Sequence, residues 1–138
     1  MKTHGRRVLV GPLIVLALVL ASCGNAQERN LCRDYEDLQA AVAQIEELDP
    51  ETATATDMYD IVGEVMAQLD QLQAASDGEY DQAISTLNLA LTELRQVTFD
   101  IGDESLEVAR PLMEESWEQA VTSYNALEQR LDVVCGTD

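Results

Sequence analysis

The sequence predicts an all-α protein, an antiparallel four-helix up-down bundle whose two ends are joined by a disulfide. Apolar residues recur with 4-3 spacing through four successive segments, a pattern typical of helices that pack along a seam. Strand signals are few, because Ala, Leu, Glu and Gln dominate and β-branched runs are short. Two cysteines, Cys32 and Cys135, stand at opposite ends of this helical region.

The first two helices are each defined by an apolar seam and a helix breaker. The seam residues are Leu31, Tyr35, Leu38, Val42 and Ile45 in the first helix and Met58, Val62, Val65, Leu69 and Leu72 in the second. Asp49-Pro50 is predicted to end the first helix, and Ser76-Asp77-Gly78 the second, because Pro and Gly are typical of helix boundaries.

The third and fourth helices continue the pattern, with one ambiguity at a proline. Their seam residues are Tyr80, Ile84, Leu87, Leu91 and Leu94 in the third and Met113, Trp117, Ala120, Tyr124, Leu127, Leu131 and Val134 in the fourth. A proline inside a helix costs about 3 kcal/mol, so Pro111 leaves two alternatives. The preferred one places it at the start of the fourth helix, after a separate short helix over 103–109. In the other, one long helix from Asp103 kinks at Pro111.

The helix count and the cysteine pair support each other. In an up-down bundle of four helices, the first helix begins and the last ends at the same pole, so Cys32 and Cys135 can approach within the roughly 7 Å between Cα atoms that a disulfide needs. Three helices of about 20 residues would leave them some 30 Å apart. The closed loop of about 100 residues would add roughly 4.7 kcal/mol of stability.

The N-terminal segment has the parts of a secretory signal. Residues 1–7 carry three basic side chains and no acid, and residues 8–20 carry no charge. This apolar run is shorter than the roughly 20 residues of a membrane-spanning helix. It ends in Leu20-Ala21-Ser22-Cys23, which resembles the lipobox of bacterial lipoproteins. The alternatives are a cleaved signal with a free cysteine and an uncleaved anchor. Arg6-Arg7 leaves the export route open between the general and twin-arginine pathways.

The lipobox resemblance divides the chain into three parts. It implies a signal peptide at 1–22, an acylated tether at 23–30 and the bundle domain at 31–138. In bacterial lipoproteins the cysteine carries at least two acyl chains, which together give stable membrane attachment. Residues 24–30 reach at most about 25 Å, so the domain is expected close to the outer surface of the cell membrane.

Composition excludes several classes of function. All 26 acidic residues follow the signal segment. In this later part of the chain, five arginines are the only basic residues, and His and Lys are absent. His4 in the signal segment is the only histidine, so residues 23–138 have no Ser–His or Cys–His nucleophile pair and no His-ligated metal. Nucleic acid is a poor partner, since binding it requires a cationic face. The sequence therefore predicts a protein that is not an enzyme and has no cofactor.

An acidic pole and two isolated apolar residues are the weak candidate sites. Asp100, Asp103 and Glu104 could ligate a divalent cation at the pole far from the membrane, although capping of helix starts is the favoured role of acids there. Leu89 and Val133 lie far from their seams, so they are candidates for a partner surface or are ordinary exposed residues. The aromatic seam residues are expected in the core, where Trp117 and Tyr124 would pack together; a ligand cavity is the alternative.

The whole pattern resembles the small helical lipoproteins of high-GC Gram-positive bacteria. The likeness rests on the lipobox, the cysteine near each end and the Asp/Glu/Ala/Leu composition. It implies an extracytoplasmic, lipid-anchored protein but no particular activity. Two hypotheses follow: a helical interaction module for an envelope protein or cell-wall component, or a binding protein for a small ligand or cation.

Overall fold

Four helices make up nearly all of the described chain, so the predicted all-α class is confirmed. The computed structural model describes residues 11–136, with side chains from residue 26 onward. The helices are α1 (Gly11–Glu46), α2 (Ala55–Ser76), α3 (Asp81–Ile101) and α4 (Leu106–Cys135). Over residues 11–136 no β-strand occurs, and the only extended pairing is an isolated antiparallel bridge between Thr54 and Ser105.

The helices pack in chain order and close into a bundle. α1 packs on α2, α2 on α3 and α3 on α4, while α4 returns beside α1. Because the connections are short, successive helices run antiparallel, as predicted. The closing contact between α1 and α4 is much less extensive than the other three. The bundle is therefore packed unevenly, with its loosest seam between the first and last helices.

The predicted seam residues form the core or pack half-buried against it, with one exception. Those of α2 and α3 are all buried, whereas Val134 of α4 is 37% exposed. At 100° per residue, Cys135 lies closer than Val134 to the direction of the buried Leu131, which explains the error. The three buried hydroxyls, of Ser76, Thr98 and Ser116, each donate to a carbonyl in the preceding turn of their own helix.

The two loops at the distal pole, residues 47–54 and 102–105, are hydrogen-bonded to each other. The N–H groups of Ala55 and Thr56, which open α2, donate to the carbonyls of Glu104 and Gly102 at 2.9 and 3.1 Å. The first two N–H groups of α4 donate in return to the carbonyls of Ala53 and Pro50, also at 2.9 and 3.1 Å. The loop before α4 thus provides acceptors for the first N–H groups of α2, and the loop before α2 does the same for α4. These N–H groups have no acceptor within their own helices.

Side-chain caps complete both helix starts at the distal pole. The Thr54 hydroxyl accepts from the Asp57 N–H at 3.2 Å, while the Asp57 carboxylate accepts from the Thr54 N–H at 2.8 Å. This reciprocal pair is a capping box. At the start of α4, the Ser105 hydroxyl accepts from the Val108 N–H at 3.4 Å. Gly102, which ends α3, has a φ of 75°, in the region that favours glycine.

The near pole, where the chain enters and leaves the bundle, is closed covalently. Cys32 in α1 and Cys135 at the end of α4 form the predicted disulfide, with 5.4 Å between their Cα atoms. The turn from α2 to α3 lies at the same pole, at the predicted Ser76-Asp77-Gly78. The parity argument from the cysteines is therefore confirmed.

Pro111 neither begins α4 nor ends a separate short helix, so the preferred prediction was wrong. α4 begins at Leu106 and continues through Pro111 to Cys135. Pro111 is exposed, so water can bond the carbonyl of Glu107 that a non-proline residue would have satisfied. Capping by Ser105 and burial of Leu106 and Ala109 favour a start of α4 at Leu106, before the proline.

The segment assigned to the tether is helical. α1 runs without a break from Gly11 to Glu46, so residues 24–30 continue the first helix of the bundle. At about 1.5 Å per residue, seven helical residues span only about 10 Å, less than half of their extended reach. Residues 1–10 of the signal segment lie outside the described residues. Within the described part of the chain, no helix has the length and apolar character needed to cross a membrane.

Candidate functional site

An apolar cleft lies where α1 and α4 pack least closely. Its volume is about 340 Å³, and it reaches down to core residues of α2 and α3. The floor consists of Val65, Leu87, Leu91 and Leu94, and the apolar walls are Val42 and Ile45 from α1 with Trp117, Ala120, Val121 and Tyr124 from α4. This opening is named here the α1–α4 cleft, and the core residues of its floor are 4% exposed or less.

The cleft continues toward the distal pole. A second cavity of about 460 Å³ shares Ile45 and Trp117 with the first and adds Leu48, Met58 and Met113 to the lining. Trp117 is half-buried between the two cavities, and it is the only tryptophan in the sequence. Arg110, Glu114 and Glu118 form the polar border at this distal end.

Two carboxylates border the cleft on either side of Tyr124, away from Met113. Glu46 of α1 and Glu128 of α4 line its rim together with the uncharged Gln39 and Asn125. Burial, followed by the charges of Glu128, Asp132 and Glu46, raises the pKa of Tyr124 to about 12. A neutral phenol and a negative potential thus lie side by side in the cleft.

A second tyrosine fixes α1 to α4 just beyond the cleft. Tyr35 is buried, and its hydroxyl donates to the Asp132 carboxylate at 2.9 Å. Burial and this hydrogen bond raise the pKa of Tyr35 above its ordinary value of 10.0. Together with the disulfide, this contact holds the two helices at the near pole, while the cleft opens along the rest of their length.

The cleft departs from the predicted role of its aromatic residues. Trp117 and Tyr124 share the lining of the cleft but are only partly buried, because α1 stands away from α4 at this level. Among the described side chains, the aromatic ring pair is instead Tyr59 with Phe99, whose rings are tilted by 47° with centroids 5.8 Å apart. Arg95 lies over the Tyr59 ring at 4.2 Å, so this second aromatic group already has a cationic partner.

The acidic residues proposed as weak metal ligands are drawn into separate local contacts. Asp103 accepts from the Thr56 hydroxyl at 2.9 Å, and Asp100 accepts from the Gln96 amide at 3.0 Å. The Glu104 carbonyl accepts from the start of α2, and its exposed side chain makes no hydrogen bond among the described residues. Over the described part of the chain, no three His, Cys, Asp or Glu side chains are arranged to hold a metal ion.

The two apolar residues proposed as a partner surface are strongly exposed but do not share a site. Leu89 of α3 is 71% exposed and Val133 of α4 is 85% exposed. Sequence reasoning missed Phe99 of α3, at 65%, and a pair in α4, Val108 and Leu112, at 62% and 70%. The two residues of this pair lie four positions apart on one face of α4, a spacing that was readable once α4 was known to begin before its proline.

The predicted lipidation site falls at the limit of what is described. Cys23 lies within the backbone of α1, and its side chain is outside the described residues. Comparison of the chain with protein-family models, with curated proteins and with solved structures finds no match. Function therefore has to be argued from the leader and from the cleft.

Proposed function

We propose that this chain is a lipid-anchored, non-enzymatic binding protein of the bacterial cell envelope, and that the α1–α4 cleft is its binding site. The cleft is the observation that carries the binding role. A concave, mostly apolar pocket with a few polar groups at its border is the usual form of a small-molecule site. Its walls come from Ile45, Trp117 and Val121, and its volume of about 340 Å³ suits a small apolar molecule.

Binding in the cleft is testable through its tryptophan. Because Trp117 is the only tryptophan, its fluorescence reports on this site alone. Titration with phenylbutanol, a neutral molecule with one ring and a short alkyl chain, is expected to change the emission in a saturable way. Val121→Phe would fill part of the cleft and weaken binding, whereas Val108→Phe, on an exposed face of the same helix, would not. Absence of saturable binding would contradict the binding role.

The anchor rests on the tetrad Leu20-Ala21-Ser22-Cys23, which resembles a lipobox. A bacterial host expressing the full chain and fed a clickable palmitate analogue is expected to yield labelled protein in the membrane fraction. Cys23→Ala should abolish both the label and membrane association. Ser22→Ala is the matched control, because it keeps a small residue before the cysteine. Membrane association that survives Cys23→Ala would contradict the anchor.

A protein partner is the second candidate function, and it is favoured by the exposed apolar residues Leu89, Val108, Leu112 and Val133. Exposed apolar patches often mark contact surfaces, and Val108 and Leu112 lie together on one face of α4. Crosslinking in intact cells, followed by mass spectrometry, is expected to yield a reproducible neighbour that is lost with Leu89→Asp or Leu112→Asp. If neither substitution changes the set of neighbours, these residues do not form a partner surface.

A further inference from the structure

We propose that the α1–α4 cleft selects small organic cations, meaning molecules with an apolar body and an amine or quaternary ammonium group. This inference rests on the proposed function, since it names the chemical class that the same cleft accepts. The apolar part would lie against Val65, Leu87 and Leu91, and the cation beside Tyr124, between Glu46 and Glu128.

The charge of the rim favours a cation. Glu46 and Glu128 come from opposite walls, and neither carboxylate has a hydrogen-bond or ion-pair partner among the described residues. No basic residue lines this cavity. In a chain with a formal net charge of −18, a ligand cation would be drawn to this rim, and an anion of the same size would be repelled.

The aromatic lining of the cleft also favours a cation. Trp117 and Tyr124 both face the cleft, and aromatic faces attract ammonium groups through their quadrupole. The neutral Tyr124 phenol lies near enough to Glu46 and Glu128 for both carboxylates to raise its pKa. The position beside Tyr124 therefore offers an aromatic face with a carboxylate on either side of it.

The distal end of the cleft carries charges of both signs. There the carboxylates of Glu114 and Glu118 share the border with Arg110, whose guanidinium offsets part of their charge. The cation is therefore expected at the Tyr124 end and not at the Met113 end. This asymmetry gives a matched pair of sites within one cleft.

The test uses three probes with the same phenylbutyl body: phenylbutylamine, phenylbutanol and phenylbutyrate. At neutral pH they carry positive, zero and negative charge. Trp117 fluorescence is expected to show the amine binding about tenfold more tightly than the alcohol, with the carboxylate weakest of the three. Equal affinity of amine and alcohol would overturn the cation proposal and leave the binding role intact. Failure of all three to bind would contradict the binding role itself.

Paired substitutions locate the preference. Glu46→Gln with Glu128→Gln is expected to bring the amine to within about twofold of the alcohol, while the alcohol affinity stays unchanged. Glu114→Gln with Glu118→Gln alters the net charge equally but at the distal end, so it should preserve the preference. If both pairs reduce it equally, the general charge of the protein causes it, and the rim assignment is wrong.

Discussion

At the residue scale, the buried tyrosines make stability depend on alkaline pH. Tyr35, Tyr80 and Tyr124 all have a pKa above the ordinary value of 10.0, with burial as the largest cause. The neutral phenol is therefore favoured in the folded state. As the pH rises through about 10, the unfolded chain loses its phenolic protons first, so folding stability is complete below that pH and falls above it.

Tyr35→Phe should make this alkaline loss shallower. Each tyrosine contributes a slope of roughly 1.4 kcal/mol per pH unit above about pH 10, and the variant removes one of them. Near pH 8 the variant should be about 1 kcal/mol less stable, because the hydrogen bond to Asp132 is lost. Urea unfolding over a series of pH values measures both effects.

Tyr124→Phe provides the comparison. The Tyr124 hydroxyl makes no hydrogen bond among the described residues, so stability near pH 8 should barely change. Its contribution to the slope ends near its folded pKa of about 12. A slope in Tyr35→Phe equal to that of the unmodified protein would show that this phenol is not held neutral by the fold.

The Thr54 cap is a second test at the residue scale. Thr54→Ala removes the acceptor for the Asp57 N–H, and the free energy of unfolding should fall by about 1 kcal/mol. Thr52→Ala is the control, because Thr52 is exposed and lies in the same loop without a capping role. The urea midpoints of the two variants decide the matter: equal midpoints would mean that the capping box contributes nothing measurable.

At the element scale, α4 carries a proline in its second turn, and its replacement should stabilise the protein. Pro111→Ala restores an N–H for the Glu107 carbonyl and removes the ring's clash with the preceding turn. Against the roughly 3 kcal/mol cost of an interior proline stands up to about 1 kcal/mol from the less restricted unfolded chain, so a gain of about 2 kcal/mol is expected.

Thermal or urea unfolding checks this expectation against a neighbour. Leu112→Ala changes an exposed residue in the same turn and should alter stability by less than about 0.5 kcal/mol. A loss of stability in Pro111→Ala would show that the helix depends on the fixed φ of the proline.

The elements also show what periodicity predicts and where it fails. The seams of α2 and α3 were predictable because 3.6-residue spacing is local information, and burial followed it closely. The start of α4 was not, since it depends on carbonyls supplied by Ala53 and Pro50, about fifty residues away in sequence. A ligand cavity was only the alternative prediction for the aromatic seam residues, because the distance between α1 and α4 leaves no pattern within either helix.

At the scale of the whole molecule, the disulfide joins the two helices that pack least. The loop it closes spans 103 residues, for which chain entropy gives a stabilisation of roughly 4.7 kcal/mol. Cys32→Ser with Cys135→Ser should therefore lower the free energy of unfolding by about that amount. Trp117 emission in the folded variant should also change, since the Tyr35–Asp132 hydrogen bond and limited packing would be left to hold α1 beside α4.

Reduction of the unmodified protein should reproduce the effect of the double substitution in urea unfolding. The measured quantity is the difference in unfolding free energy between oxidised and reduced protein. A difference below about 1 kcal/mol would mean that the open chain retains enough structure to remove the entropic gain.

The crosswise hydrogen bonds at the distal pole also bear on how the chain can be divided. The hairpin of α1 and α2 needs the carbonyls of Gly102 and Glu104, and the hairpin of α3 and α4 needs those of Pro50 and Ala53. Cut into halves, each fragment would begin a helix with two amides lacking their native acceptors. These bonds therefore couple the two hairpins to each other at the pole that carries no covalent link.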